Sequence, residues 1–241
     1  MSETGHAPNL EKFQIEINAC IGYSTRYNPS NPLIKIPALQ TVSTDAQQSL
    51  LNINTQDAPR KTIINSRQAL FQKLPNYVTR IILAFAASQD IDKRSVDDAR
   101  IWGRKIHGER KSKKILNPTA DDPKQISASQ RSFVNQVEFF DKLISYILIH
   151  PTYTPNEPEL QETALRAFES DLRAANDAAY QANIPWLNAL SARDNIFYAP
   201  VTGLVDRALA VKKYVHSVQS ITPEDYKQIS GLEFRRPTKK K

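Results

Sequence analysis

The chain has 241 residues, 40% of them hydrophobic and 24% charged, a mix that supports a packed core able to bury about 70% of the unfolded surface and argues against wholesale disorder. Six glycines are few beside the roughly 7% of an average chain, which disfavours tight hairpins and phosphate-cradling loops, and the single cysteine, Cys20, excludes an intramolecular disulfide and a thiolate metal cluster. The net charge of +7 sits mainly in two short stretches, GRKIHGERKSKK (103–114) and FRRPTKKK (234–241), which bears on anionic partners and solubility and not on fold.

Residues 1–8 read as a disordered N-terminus without the basic and apolar regions of a signal peptide, and no apolar run approaches the 18 residues of a membrane span; the expected compartment is the reducing cytoplasm. Leu10, Phe13, Ile17 and Ile21 then fall at helical spacing, with Cys20 beside them as a small core hydrophobe. This helix stops at YNPSNP (27–32), where Tyr27 is expected to anchor the loop through its hydroxyl. A heptad seam follows at Leu39, Val42, Ala46, Ser49 and Ile53. Pro59 is well placed to open a third helix through Phe71, Leu74, Val78, Ile81 and Phe85, kinked at Pro75. Ser95 resembles the start of a short acid-led helix, SVDDARIWGRKI. Residues 109–130 form a polar, basic linker.

The chain then repeats itself. Shifting it by 126 positions aligns residues 9–84 without a gap and gives fourteen identical pairs, among them Asn9/Asn135, Tyr27/Tyr153, Asp45/Asp171, Pro59/Pro185, Arg67/Arg193 and Leu83/Leu209. In the second copy the helical positions are Phe133, Val137, Phe140, Ile144 and Ile147, then Leu165, Phe168, Leu172, Ala175 and Ala179, then Phe197, Val201, Leu204, Ala208 and Val211 with Pro200 as the kink, and last TPEDYKQI behind Thr222. No stretch alternates with period two. The expected fold is all-α, a tandem duplication of a three-to-four-helix unit (9–108 and 131–231) forming a pseudo-twofold helical bundle, with a basic tail at 232–241.

Four scattered histidines make no His-x-x-x-His or Glu-x-x-His pair, and no phosphate-loop, dinucleotide or nucleophile-elbow motif is present; the reading is of no metal, no cofactor and no enzyme activity. Asp97-Asp98 and Glu224-Asp225 are neighbours pointing about 100° apart on a helix, placed for its N-terminus and not for acid–base chemistry. Arg67 and Arg193, charges kept on apolar helices, are expected to pair with Asp45 and Asp171; the alternative is a pair of anion sites. Tyr153 plays the part of Tyr27, with a ligand platform as the alternative for both. Contacts to an anion or nucleic acid would come from Arg104, Lys105, Arg110, Lys111, Lys113 and Lys114, and from Arg235, Arg236, Lys239, Lys240 and Lys241.

The combination of YNPSNP, SRQALF, DRALAVKKYVHSV (206–218) and QISGLEFRRPTKKK resembles, over nearly the whole chain, a family of uncharacterised bacterial proteins of about this length. The resemblance implies an internally duplicated helical unit with basic ends and carries no activity. Together these features point to a non-enzymatic helical interaction or scaffold protein whose partner is another protein or a second copy of itself. The alternative is a nucleic-acid-binding protein gripping the phosphate backbone through its two basic clusters.

Overall fold

A computed structural model of the protein describes residues 5–108 and 132–237. Among the described residues there are seven α-helices, three single 3-10 turns and no strand: α1 (His6–Gly22), α2 (Ile36–Ala87), α3 (Lys93–His107), α4 (Phe133–Leu148), α5 (Glu162–Tyr198), α6 (Leu204–Ser217) and α7 (Pro223–Ser230). The all-α class is as the periodicity predicts. So are the N-cap of α7, where the Thr222 hydroxyl accepts from the Asp225 amide at 3.2 Å, and the seam, in which Leu39, Val42, Ala46, Ser49, Leu165, Leu172 and Ala179 are buried.

Two expectations about proline fail. Pro59 and Pro185 do not open helices; they lie inside α2, 52 residues long, and α5, 37 residues long. An interior proline removes one backbone hydrogen bond and costs about 3 kcal/mol, but each buried Leu or Phe contributes about 1.5–3 kcal/mol. Leu39, Val42 and Ala46 on one side of Pro59, and Phe71, Leu74, Val78, Ile81 and Phe85 on the other, are all buried, so packing on both sides outweighs the local break. Pro75 is likewise passed without interruption. Pro200 instead ends its helix: α5 stops at Tyr198, Val201 takes φ 68° and is 67% exposed rather than in the core, and α6 begins at Leu204. Two smaller corrections concern Ile21, which faces solvent, and α3, whose N-cap is Asp92 and not Ser95, the Asp92 carboxylate accepting the Ser95 amide at 2.7 Å.

The helices assemble into two compact units. One contains the described residues of Met1–Pro59 and Asn183–Lys241, the other those of Arg60–Ala182. Each unit therefore draws on both of the spans expected as repeats, 9–108 and 131–231. In the first, Phe13, Cys20, Leu39, Ala46, Phe197, Leu204, Ala208, Val211 and Ile229 share a core. In the second, Leu74, Val78, Ile81, Phe85, Ala99, Ile106, Phe140, Leu143, Ile144, Leu165 and Leu172 do so.

The turn between α5 and α6 tolerates one residue type at its end. A Cβ added to Gly203 would stand 2.6 and 2.7 Å from the backbone N and O of Ala199, where no side-chain movement gives relief. Gly203→Ala is expected to destabilise the protein by about 1–3 kcal/mol, read as a lower urea midpoint. Gly231→Ala, which meets nothing within 4 Å, should leave the midpoint nearly unchanged.

Candidate functional site

The repeated tyrosines are anchors. The Tyr27 hydroxyl donates to the Ile34 carbonyl at 2.6 Å and the Tyr153 hydroxyl to the Leu160 carbonyl at 3.0 Å, both buried and both reaching seven residues ahead. Each closes the loop that delivers the chain into a long helix. Cys20 is fully buried beside Tyr27, and burial, with the nearby Glu16 carboxyl, pushes its thiol up to about 12, which leaves no reactive thiolate.

The expected arginine–aspartate pairs do not form. Asp45 and Arg67 lie on the single helix α2, and Asp171 and Arg193 on α5; each pair is separated by 22 residues, about six helical turns, far beyond side-chain reach. Arg67 instead rests 4.0 Å above the Phe133 ring and donates through Nη1 to Asn176 Oδ1 at 3.2 Å, while its buried Nε has no partner. Arg193 donates through Nε and Nη2 to Asp194 Oδ1 at 2.9 and 2.6 Å. The same oxygen faces His6 Nε2 at 3.2 Å. Burial is the larger influence on His6 and holds its imidazole below the usual value, with Arg193 acting in the same sense and Asp194 against it.

The two basic stretches differ in how far the fold absorbs them. Arg104 and Lys105 are exposed on α3, with Lys105 Nζ 4.7 Å from the Trp102 ring and 4.9 Å from that of Phe139. Arg235 and Arg236 belong to a strap without regular secondary structure, residues 232–237, within the first unit. Asn9, 1% exposed, clamps both polar groups of Arg235: its Nδ2 donates to the Arg235 carbonyl at 2.7 Å and its Oδ1 accepts the Arg235 amide at 3.0 Å. Lys12 donates to the Glu233 carbonyl at 2.8 Å. Lys212 donates to the Leu232 carbonyl and, at 3.4 Å, to that of Ser230. Arg236 is ion-paired with Asp206. Arg110, Lys111, Lys113, Lys114, Lys239, Lys240 and Lys241 lie outside the described residues.

Sequence reasoning passed over the most unusual group in this region. Glu16 on α1 is 0% exposed and neither carboxyl oxygen has a hydrogen-bond partner. Burial pushes it up to about 8, against the opposing pull of Lys212. Its spacing was informative, three residues after Phe13 and four before Cys20 on the buried stripe of α1, but a carboxylate at such a place is usually assigned to solvent. Among the described residues, no group of three or more His, Cys, Asp or Glu is placed to hold a metal ion, and no helix is long and apolar enough to cross a membrane.

The chain matches no family model, no curated protein and no solved structure.

A carboxyl raised in the folded state binds its proton more tightly there than when unfolded. Its contribution to stability is therefore complete below the unfolded value near 4.5 and is lost as the pH rises toward about 8. In Glu16→Gln that loss should vanish: measured by urea unfolding, the variant gains on the wild type with increasing pH across this window, at a slope approaching about 1.4 kcal/mol per pH unit.

Proposed function

We propose that the protein is a tandemly duplicated helical scaffold that presents equivalent docking surfaces from its two repeats. The observation that carries this reading is an identity for which the cores have no use. Leu83 and Leu209 occupy the same position in the two copies, yet they are 60% and 43% exposed. Large apolar side chains repeated on a surface are better accounted for by a partner than by folding. In the first unit Leu209 borders a shallow groove lined by Leu33, Val201, Arg207, Ala210 and Lys213 beside the 3-10 turn of the Tyr-Pro motif. In the same unit, Ile184 and Leu187 of α5 lie three residues apart and are 40% and 53% exposed, a spacing that puts both on one helix face. The matched hydrogen bonds of Tyr27 and Tyr153 support the duplication itself. The role is binding and not catalysis, and the partner is a protein, either a second copy or another chain.

Sedimentation of the purified protein tests this reading. Self-association at micromolar concentration is expected, weakened at least tenfold in the double variant Leu83→Ser, Leu209→Ser, a loss of about 1.4 kcal/mol. Association unchanged in the double variant would remove the basis of the proposal.

The exposed Arg104 and Lys105 beside Trp102 favour nucleic-acid binding as the second reading. It requires affinity for labelled duplex or single strands that falls steeply with salt, with a slope reduced by about two in Arg104→Gln, Lys105→Gln. Absence of binding at about 50 mM salt would leave these charges to solubility.

A further inference from the structure

We propose that Glu16 and Lys212 form a proton-operated latch: when Glu16 ionises, Lys212 releases the backbone carbonyls of Ser230 and Leu232 and the strap 232–237 comes free. The geometry carries the inference. Glu16 is sealed inside the first unit with both oxygens unpartnered. That arrangement is acceptable for a neutral acid and costly for an anion, which must be paired or hydrated. The opposite charge acting on it is that of Lys212 on α6, and Lys212 is already engaged with the strap, donating to Leu232 and Ser230 and standing 5.3 Å from the Phe234 ring. Loss of the Glu16 proton to solvent leaves two ways to satisfy the carboxylate. Either the ammonium turns inward, or water enters between α1 and α6; both dismantle the clamp. The other charged and titratable groups facing this pair do not replace Lys212. Cys20 on α1 and Tyr23 and Tyr27 after it hold their protons under burial. Asp225 on α7 is committed to Arg26 at 2.7 Å. Around Lys212 itself, Glu233 of the strap attracts it and Lys12 of α1 repels it. Asn9 and Lys12 hold the strap through its main-chain atoms, and Arg236 is held by Asp206 and, at 3.4 Å, by the Tyr198 carbonyl. Opening would release Arg235 and Arg236 from the surface of the unit to an anionic partner.

The test is an NMR titration of the full chain between about pH 6 and pH 10, following the Leu232 methyl and Phe234 ring carbons together with the Glu16 carboxyl carbon. The strap signals should pass from ordered to flexible positions with the same midpoint as the carboxyl. In Glu16→Gln the strap should stay ordered throughout, and in Lys212→Met it should be loosened at every pH without a midpoint. Strap signals unchanged across the range, or a Glu16→Gln variant that keeps the wild-type midpoint, would overturn the latch. Should the glutamine variant fail to fold, the wild-type comparison decides: carboxyl and strap midpoints separated by more than about one unit refute the proposal.

Discussion

Helix continuity through Pro59 and Pro185 is the constraint on which the rest of the structure depends. A helix that ended at either proline would give its two halves to one local bundle. Because α2 and α5 run on, the residues before and after each proline are committed to different cores, and each core is completed by helices distant in sequence. The local penalty of about 3 kcal/mol is set against apolar side chains anchored on both sides, so uninterrupted helices are the cheaper solution. Continuity also dictates electrostatics: it places Asp45 and Arg67 six turns apart and leaves Arg67 to an aromatic ring and an amide rather than a carboxylate.

The two units use different interior chemistry. Every buried polar or charged residue among those described, namely His6, Asn9, Glu16, Ser43 and Ser49, belongs to the first. Asn9 is explained by the strap, whose backbone it satisfies, and Ser49 by the Ala46 carbonyl it donates to at 2.7 Å. Glu16 has no such explanation. Its counterpart 126 residues on is Lys142, exposed and paired with Glu138. At this shift Phe13 and Ile17 meet Phe139 and Leu143, buried on both helices, whereas the buried Phe140, Ile144 and Ile147 stand opposite the exposed Gln14, Asn18 and Ile21. Buried ionisable groups are poor devices for stability, and this carboxyl is better understood through what it faces.

Much of the architecture was legible from spacing alone. The 3.6-residue period identifies α1, α4 and the seams because burial enforces it, and Thr222 marks the start of α7 because a hydroxyl there meets an unpaired amide whatever the tertiary context. The helix ends at proline were not legible, since the proline rule weighs a local cost and the outcome turns on packing many residues away. Pro200 does end a helix where Pro75 does not. Both were read alike from sequence because the difference lies in the turn that follows, where Asp206 accepts the Val201 amide at 2.8 Å and Gly203 admits the backbone of Ala199.

The basic stretches show the same limit from the functional side. Counting charge treats Arg236 and Arg104 as equals, and the fold does not: the first is spent on Asp206, the second stays exposed on α3. A charge already paired within the fold must break that pair before it can grip an external anion, so its contribution to binding is reduced by whatever the internal pair was worth. Surface leucines carry the opposite logic. Leu83 and Leu209 are 60% and 43% exposed, and covering an apolar side chain that faces water is favourable. That asymmetry is why the repeated leucines weigh more heavily here than the larger number of lysines and arginines.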